Sequence, residues 1–346
     1  MGECGLVQPE GSEAPPKVTA ATWVISDLDS GKVLAAKDPH ARERPASLIK
    51  VLLSIVVIRE LRPETVVTGT QEDANQEGTK VGIGPGGRYT VEQLLNALVM
   101  RSGNDAAYAL ARALGGTEAA LAKMNALAKE LGALDTRAAT PSGLDGPGMM
   151  TSAYDQSLIF RAAMAHEEFA KAARTRQIDF PGYGGRPGFQ VNNDNRLLGE
   201  YEGFLGGKTG FTDDARHTYV GAAERDGRRL AVVLLRGERE QEPLALQGAA
   251  LLDYGFALAK ADVKPVGELV TQSPEAQPKP NPNKQGEQTE SDARPVSNEE
   301  PTEAETDRSA FGNVGLPLVV LAGLAVLVVL GMWMRRRRAR AARAAR

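Results

Sequence analysis

Apolar positions change their spacing twice along this chain, and each change marks a different kind of element. Near the start, Thr22–Asp27 (TWVISD) and Lys32–Ala36 (KVLAA) are short apolar runs on either side of Leu28-Asp29-Ser30-Gly31, which predicts a β-hairpin turning at Asp29 to Gly31. From Ser47 to about Leu61 the sequence is apolar nearly all round, the signature of a helix buried inside a domain instead of lying on its surface. Thr90-Val91-Glu92-Gln93 followed by LLNALVM predicts a capped helix with an apolar stripe. An Ala-rich helix over Asp105–Leu114 should stop at Gly115-Gly116, and another over Thr117–Leu131 should stop at Gly132. A further helix is predicted from Thr151 to about Ala173. The period then returns to that of strands over Gly206–Thr212, His217–Glu224 and Arg229–Arg236, with Asp226-Gly227 favouring a tight hairpin between the last two. An amphipathic helix over Gln241–Lys260 closes the series.

Two strands, several helices, three strands and a last helix define an α+β fold. The order is best satisfied by one antiparallel five-stranded sheet assembled from both ends of the region, flanked by helices, with an all-α lobe inserted. The cleft between sheet and lobe is where side chains from distant segments can converge.

Composition divides the chain further. Residues 1–18 read as a disordered tail and 19–261 as the folded domain. Residues 262–310 are rich in Pro, Glu, Gln, Asn and Ser, too poor in apolar surface to offset the entropy of ordering, and read as a disordered linker. Residues 311–334 (FGNVGLPLVVLAGLAVLVVLGMWM) carry no charge over a length sufficient to span a hydrocarbon core of about 30 Å as a helix. Arg335 to Arg338 follow at once, and the basic tail at 335–346 is expected in the cytoplasm with the folded domain outside, at the cell membrane. Residues 1–19 contain no apolar run of signal-peptide length, so they do not explain export. A net charge of -3 gives no footprint for nucleic acid, and Cys4, the single cysteine, permits neither an internal disulfide nor a Cys/His metal cluster.

Candidate chemistry lies in three motifs: Ser47-Leu48-Ile49-Lys50, Ser102-Gly103-Asn104 and Lys208-Thr209-Gly210. A serine hydroxyl needs a base, and with only His40, His166 and His217 available, a lysine has to be considered for the part. On a helix, residues three apart share a face, which puts Lys50 Nζ within reach of Ser47 Oγ. Burial beside another cation would free that amine of its proton. The Ser47 backbone N–H at the helix start lacks an intrahelical partner and can face an oxyanion, with the Phe211 N–H as a second donor. Ser102 could pass a proton to a leaving amine, Asn104 could hold an acyl amide, and Lys208 and Thr209 could attract a carboxylate. Gly210 would let a substrate backbone approach the strand.

The motifs and their flanks resemble the D-alanyl-D-alanine carboxypeptidases, low-molecular-mass penicillin-binding proteins of the S11 serine peptidase family. The likeness extends through Pro45–Val51, Tyr89–Leu95, Ser102–Ala107, Ser142–Asp145 and Gly207–Thr212, and Phe211–Tyr219 is similar to actinobacterial members. It implies a β-lactamase/transpeptidase-like fold and removal of the terminal D-Ala from peptidoglycan stem pentapeptides through a Ser47 acyl-enzyme, with no metal and no cofactor. Lys50 would be the general base, Ser102 and Asn104 the second motif, and Lys208, Thr209, Gly210 and Phe211 the substrate-binding strand. β-Lactams would imitate D-Ala-D-Ala and acylate the same serine. Arg216 and Arg239 are candidates for binding the substrate's carboxylate.

Three other functions compete with this reading. D,D-endopeptidase action on peptidoglycan cross-links would use the same residues. A class A-like β-lactamase would need a glutamate to activate the deacylating water, and Glu167-Glu168 lacks the expected surroundings. An inactive muropeptide-binding wall protein would keep the fold without turnover.

Overall fold

Strands from the two ends of the domain meet in one sheet, as the order of elements requires. The computed structural model describes residues 4–239 and 242–271. The chain divides into units Met1–Pro280 and Asn281–Arg346, and every described residue belongs to the first. The predicted linker beyond 271, the span at 311–334 and the basic tail at 335–346 therefore lie outside the described residues. Among the described residues no helix is long and apolar enough to cross a membrane.

The elements run β1 (Leu6–Val7), β2 (Thr22–Asp27), β3 (Lys32–Lys37), a 3₁₀ turn at Ala46–Leu48, α1 (Ile49–Glu60), β4 (Val66–Thr68), α2 (Gln71–Ala74), β5 (Arg88–Thr90) and α3 (Val91–Met100). They continue with α4 (Asn104–Ala113), α5 (Thr117–Glu130), α6 (Ala153–Met164), α7 (Glu167–Arg174), β6 (Gln177–Phe180) and β7 (Phe189–Asn192). The C-terminal part supplies β8 (Phe204–Thr212), β9 (Arg216–Arg225), β10 (Arg228–Gly237), α8 (Leu244–Lys260) and β11 (Gly267–Glu268). The five long strands stand in the order β3-β2-β10-β9-β8, all antiparallel, with Val24 opposite Val233 and Gly210 opposite Thr218. This is the predicted five-stranded sheet, and among the described residues β8 is an edge strand.

Successive side chains of a strand point to opposite faces, and here both faces are covered by helices. Ile25, Leu230, Val232 and Leu234 pack with Leu251 and Leu252 of α8, while Val24, Ala231, Val233 and Leu235 pack into the larger core that holds α1. In α1 the run from Ile49 to Val57 is buried without a break, which is why its sequence shows no polar stripe. Each such Leu, Ile or Val contributes about 1.5–3 kcal/mol relative to an exposed position. The burial anchors the helix whose first turn carries Ser47 and Lys50.

Three expectations need correction. The segment 1–18, expected to be disordered, contains β1, in which Leu6 and Val7 pair with Lys37 and Ala36, and the Gly5 N–H donates to Asp38 Oδ1 at 2.7 Å. Its composition is poor in apolar residues, but the outer edge of β3 offers its backbone partners. The domain does not end at 261, because β11 pairs with Val33 and Lys32 of the same edge and Leu269 enters the core. The helix expected over Thr151–Ala173 is two helices, for the chain tightens at Ala165 and His166, whose N–H groups donate to Ala162 and Ala163. That turn lets Phe169 of α7 meet Phe160 of α6 edge to face at 6.1 Å. The hairpins β4–β5 and β6–β7 are additions to the predicted scheme.

Candidate active site

The nucleophile's segment is held in a conformation that an ordinary residue does not favour. Ala46, fully buried, has φ 47°, in the left-handed region where a non-glycine residue is strained. Its neighbours fix it there: Pro45 O accepts from Thr218 Oγ1 at 3.0 Å and from the Leu48 N–H at 3.1 Å. A Cβ at Gly143 (φ 89°) would lie 2.0 Å from Ala46 O, and one at Gly210 would lie 2.9 Å from the Ser47 nitrogen. Both glycines are thus required by close backbone approach, and the second brings the edge of β8 against the start of α1.

Lys50 is completely buried. Its Nζ lies 2.8 Å from Ser47 Oγ and 2.8 Å from Asn104 Oδ1, and also donates to Ser142 O. Asn104 Oδ1 and Ser142 O can only accept, so in the neutral amine they take its two hydrogens and leave the lone pair for the Ser47 hydroxyl. Burial, and then the positive charge of Lys208, push the Lys50 pKa well below 10.5, while Asp105 opposes this in part. Lys208, on β8 and 3% exposed, is lowered to about 8 by burial, with Asp194 opposing. Its Nζ donates to Thr209 O at 2.8 Å.

Asn104 opens α4 with both ends of its amide engaged, Oδ1 by Lys50 and Nδ2 by Glu77 O at 2.6 Å. One N–H of Nδ2 remains for a ligand. Asp105, the next residue, is buried and accepts from the backbone nitrogens of Val81, Gly82 and Ile83 at 3.0, 2.8 and 3.1 Å. It thereby ties the segment after Thr79 to the start of α4. Ser102, at φ 61°, adopts a left-handed conformation that turns the chain between α3 and α4.

Ser47, Ser102, Asn104, Thr209, Gly210 and Phe211 line one cavity of about 350 Å³, together with Ser142, Asp194, His217 and others. Lys50 and Lys208 are buried, the first bonded to Ser47 and the second contributing charge to it. The eight candidates on the three motifs and at Phe211 are therefore at one site, while Arg216 and Arg239 do not line this cavity. Phe211 is 48% exposed, with the His217 ring 4.6 Å away and the Arg216 guanidinium 5.8 Å from its centroid. Of the three histidines, His217 alone lines this cavity, and burial and then Arg239 lower its pKa. His40 instead packs on Tyr154 at 4.4 Å, and His166 precedes α7.

Sequence reasoning missed Asp105, Asp194 and the carbonyl of Ser142. Asp105 had a local signal, an acid in the first turn of a helix directly after Ser102-Gly103-Asn104. Asp194 had none, since it reaches the cavity from a loop where it pairs with Arg101. Among the described residues, no group of His, Cys, Asp and Glu is arranged to hold a metal.

A hydroxyl facing a buried amine, beside a sheet edge and a helical lobe, defines a serine acyl-transfer enzyme of the penicillin-binding type. The profile of the D-alanyl-D-alanine carboxypeptidases, peptidase family S11, matches residues 10–238, and the chain belongs to that family of serine hydrolases. It is 47% identical over 256 residues to D-alanyl-D-alanine carboxypeptidase DacB2 of Mycobacterium tuberculosis, covering 73% of this chain and 87% of the relative. Against DacF of Bacillus subtilis the identity is 30%, over 69% of this chain and 62% of the relative. A crystal structure of D-alanyl-D-alanine carboxypeptidase from M. tuberculosis superposes with a TM-score of 0.70 at 47% identity, covering 72% of this chain and 96% of the other. The Streptomyces K15 DD-transpeptidase superposes at 0.66 with 25% identity, covering 71% of this chain and all of that one.

Proposed function

We propose that this protein is a serine-type D-alanyl-D-alanine carboxypeptidase that removes the terminal D-Ala from peptidoglycan stem pentapeptides. One observation carries the reading: the Lys50 amine, buried next to a second cation, is bonded to Ser47 Oγ and to two carbonyl-type acceptors. Lys50 takes the Ser47 proton as Oγ attacks the carbonyl of the penultimate D-Ala. The tetrahedral oxyanion is met by backbone N–H groups at Ser47 and Phe211. The C–N bond breaks as the departing amine receives a proton, with Ser102 as the relay, and D-Ala leaves. Water, giving up a proton to the same amine, then attacks the ester, releases the shortened peptide and restores the hydroxyl. Asn104 positions Lys50 through Oδ1 and offers its spare N–H to the acyl chain. Among the described residues Asp194 is the one acid lining this cavity, and its charge is engaged by Arg101, which favours the carboxypeptidase over a lactamase that deacylates through a glutamate. The test is D-Ala release from a pentapeptide by the full-length chain, with β-lactams as acylating inhibitors of the same serine. No release from any D-Ala-D-Ala peptide would refute the proposal.

The substrate's carboxylate is assigned to Arg239, with Thr209. Arg216 is committed to Glu238 through two bonds of 2.8 and 2.9 Å. Arg239 instead lines a cavity of about 280 Å³ that shares Asp194, Thr209, Gly210 and His217 with the catalytic one. Arg239→Ala should raise KM roughly tenfold or more for peptides with a free carboxylate, the scale of a lost charge-assisted hydrogen bond. Steady-state kinetics on the free acid and its C-terminal amide check this, the amide serving as the substrate that does not respond.

The domain works outside the cell on a single membrane span at 311–334, with the arginine tail in the cytoplasm. Its support is the uncharged composition of that segment and the four arginines after it. Fractionation should find the full chain in membranes resistant to carbonate washing, and a chain truncated after residue 271 in the soluble fraction. Recovery of both in the soluble fraction would reject the span.

A further inference from the structure

The inner face of α8 is apolar where it meets the sheet, through Leu244, Leu251 and Leu252, with one exception in its first turn. Gln247 is 2% exposed and its side chain reaches no cavity wall of the active site. A buried amide costs stability unless its groups are paired. Here they are: Oε1 accepts from the Thr19 N–H at 2.7 Å, and Nε2 donates to Glu238 O at 3.0 Å and to Glu242 O at 3.2 Å. The reverse orientation of the amide would set its oxygen against two carbonyls, so the bonding fixes which end is which.

Those two carbonyls bracket Arg239. Glu238 directly precedes it, Glu242 lies three residues beyond, and one side-chain nitrogen holds both. Glu238 is tied from two more directions. Thr19 Oγ1 accepts from its N–H at 2.9 Å and donates to its O at 2.7 Å, and Arg216 holds its carboxylate. Arg239 itself is exposed, and a long side chain on an unsupported segment would lose much of its binding energy to ordering. The support for it comes from α8 and from the chain just before β2, both remote from the nucleophile in sequence.

We propose that Gln247 is a positioning residue for recognition of the substrate's carboxylate, setting Arg239 at the mouth of the catalytic cavity by clamping the backbone on both sides of it. The inference rests on the assignment of Arg239 above. It makes Gln247 act on binding and not on the chemistry at Ser47, and it makes the effect pass wholly through Arg239. A side chain that merely stabilised the start of α8 would do neither.

The test is a double-mutant cycle in the full-length chain, read by steady-state kinetics on a peptide ending in D-Ala-D-Ala. Gln247→Met keeps the length and loses every hydrogen bond of the amide, and KM should rise roughly tenfold with kcat within about twofold. In an Arg239→Ala background the same change should move KM by less than about twofold, because residues acting as a unit are not additive. An unchanged KM in Gln247→Met, or a rise that persists undiminished without Arg239, overturns the proposal. If Gln247→Met does not fold, the cycle is run with Thr19→Val, which removes the hydroxyl's bonds to Glu238 and to Gln247 Oε1 and leaves the Thr19 N–H bond to that oxygen in place. It should raise KM in the same direction by a smaller factor, and no rise overturns the proposal. Arg239→Ala alone separates the two assignments: if it leaves KM unchanged, the carboxylate reading has failed, and if it raises KM while Gln247→Met does not, only the positioning role has failed.

Discussion

Ser47→Ala is expected to lower kcat for D-Ala release by a factor on the order of 10⁴ or more, since no group remains to form the acyl-enzyme. Among the described residues, the partners of Lys50 Nζ include one hydroxyl, that of Ser47; the others, Asn104 Oδ1 and Ser142 O, are acceptors with no proton to give. Ser102 and Ser142 line the same cavity, yet neither hydroxyl is the one that Lys50 addresses. Alanine also loses little packing there, because Ser47 is half-buried between neighbours that are fully buried. The fold should persist, with Lys50 keeping two of its three bonds. Mass spectrometry after incubation with penicillin gives a second reading: the native chain should gain one drug mass on the peptide containing Ser47, and the alanine variant none. A drug adduct on another peptide, or D-Ala release persisting in the variant, would displace Ser47 from its assigned role.

The parts of this site that were legible in the sequence are those in which local spacing dictates geometry. Ser47 and Lys50 had to share a helix face, and the segment from Ile49 to Val57, apolar but for Lys50 and Ser54, had to be buried, so a base without water could be read directly. The five long strands were legible from their short apolar runs, and two of their turns carry a hairpin signal, Asp29-Ser30-Gly31 between β2 and β3 and Asp226-Gly227 between β9 and β10. What escaped was set by contacts between distant segments. Ser142 contributes only its carbonyl, which every residue possesses, and no side-chain pattern announces that. Gly143 and Gly210 admit the backbones that press against Ala46 and Ser47, a requirement visible only once those strands and loops are in place. The ends of the domain were misplaced for a related reason: polar composition predicts disorder, but β1 and β11 are held by main-chain bonds to β3, whose outer edge the sequence had left without a partner.

Lys50 and Lys208 together predict a bell-shaped dependence of kcat/KM on pH, with the two limbs owned by different lysines. An ordinary lysine is neutral in only about one molecule in 10³ at pH 7. Burial and the Lys208 charge lower the Lys50 pKa well below its ordinary value, so the amine that must accept the Ser47 proton is freed at lower pH than in an exposed lysine, and the rate climbs as pH rises through that lowered value. Lys208 must stay protonated to supply its charge; it loses its proton near pH 8, and the rate falls above that point. Removing Lys50 by Lys50→Ala should therefore cost about 10²–10⁴-fold, the usual worth of a general base, and erase the rising limb. Lys208→Arg keeps a cation that does not titrate in this range, so it should abolish the falling limb while leaving the rising one in place. Lys208→Met removes the charge instead. Burial still depresses Lys50, but the repulsion is gone, its pKa recovers part of the shift, and the rising limb moves to higher pH as kcat/KM drops. Profiles measured from about pH 5 to 10 on all four proteins decide the matter. An alkaline limb that survives in Lys208→Arg, or a rising limb unmoved in Lys208→Met, would show that the two buried amines do not communicate as their proximity requires.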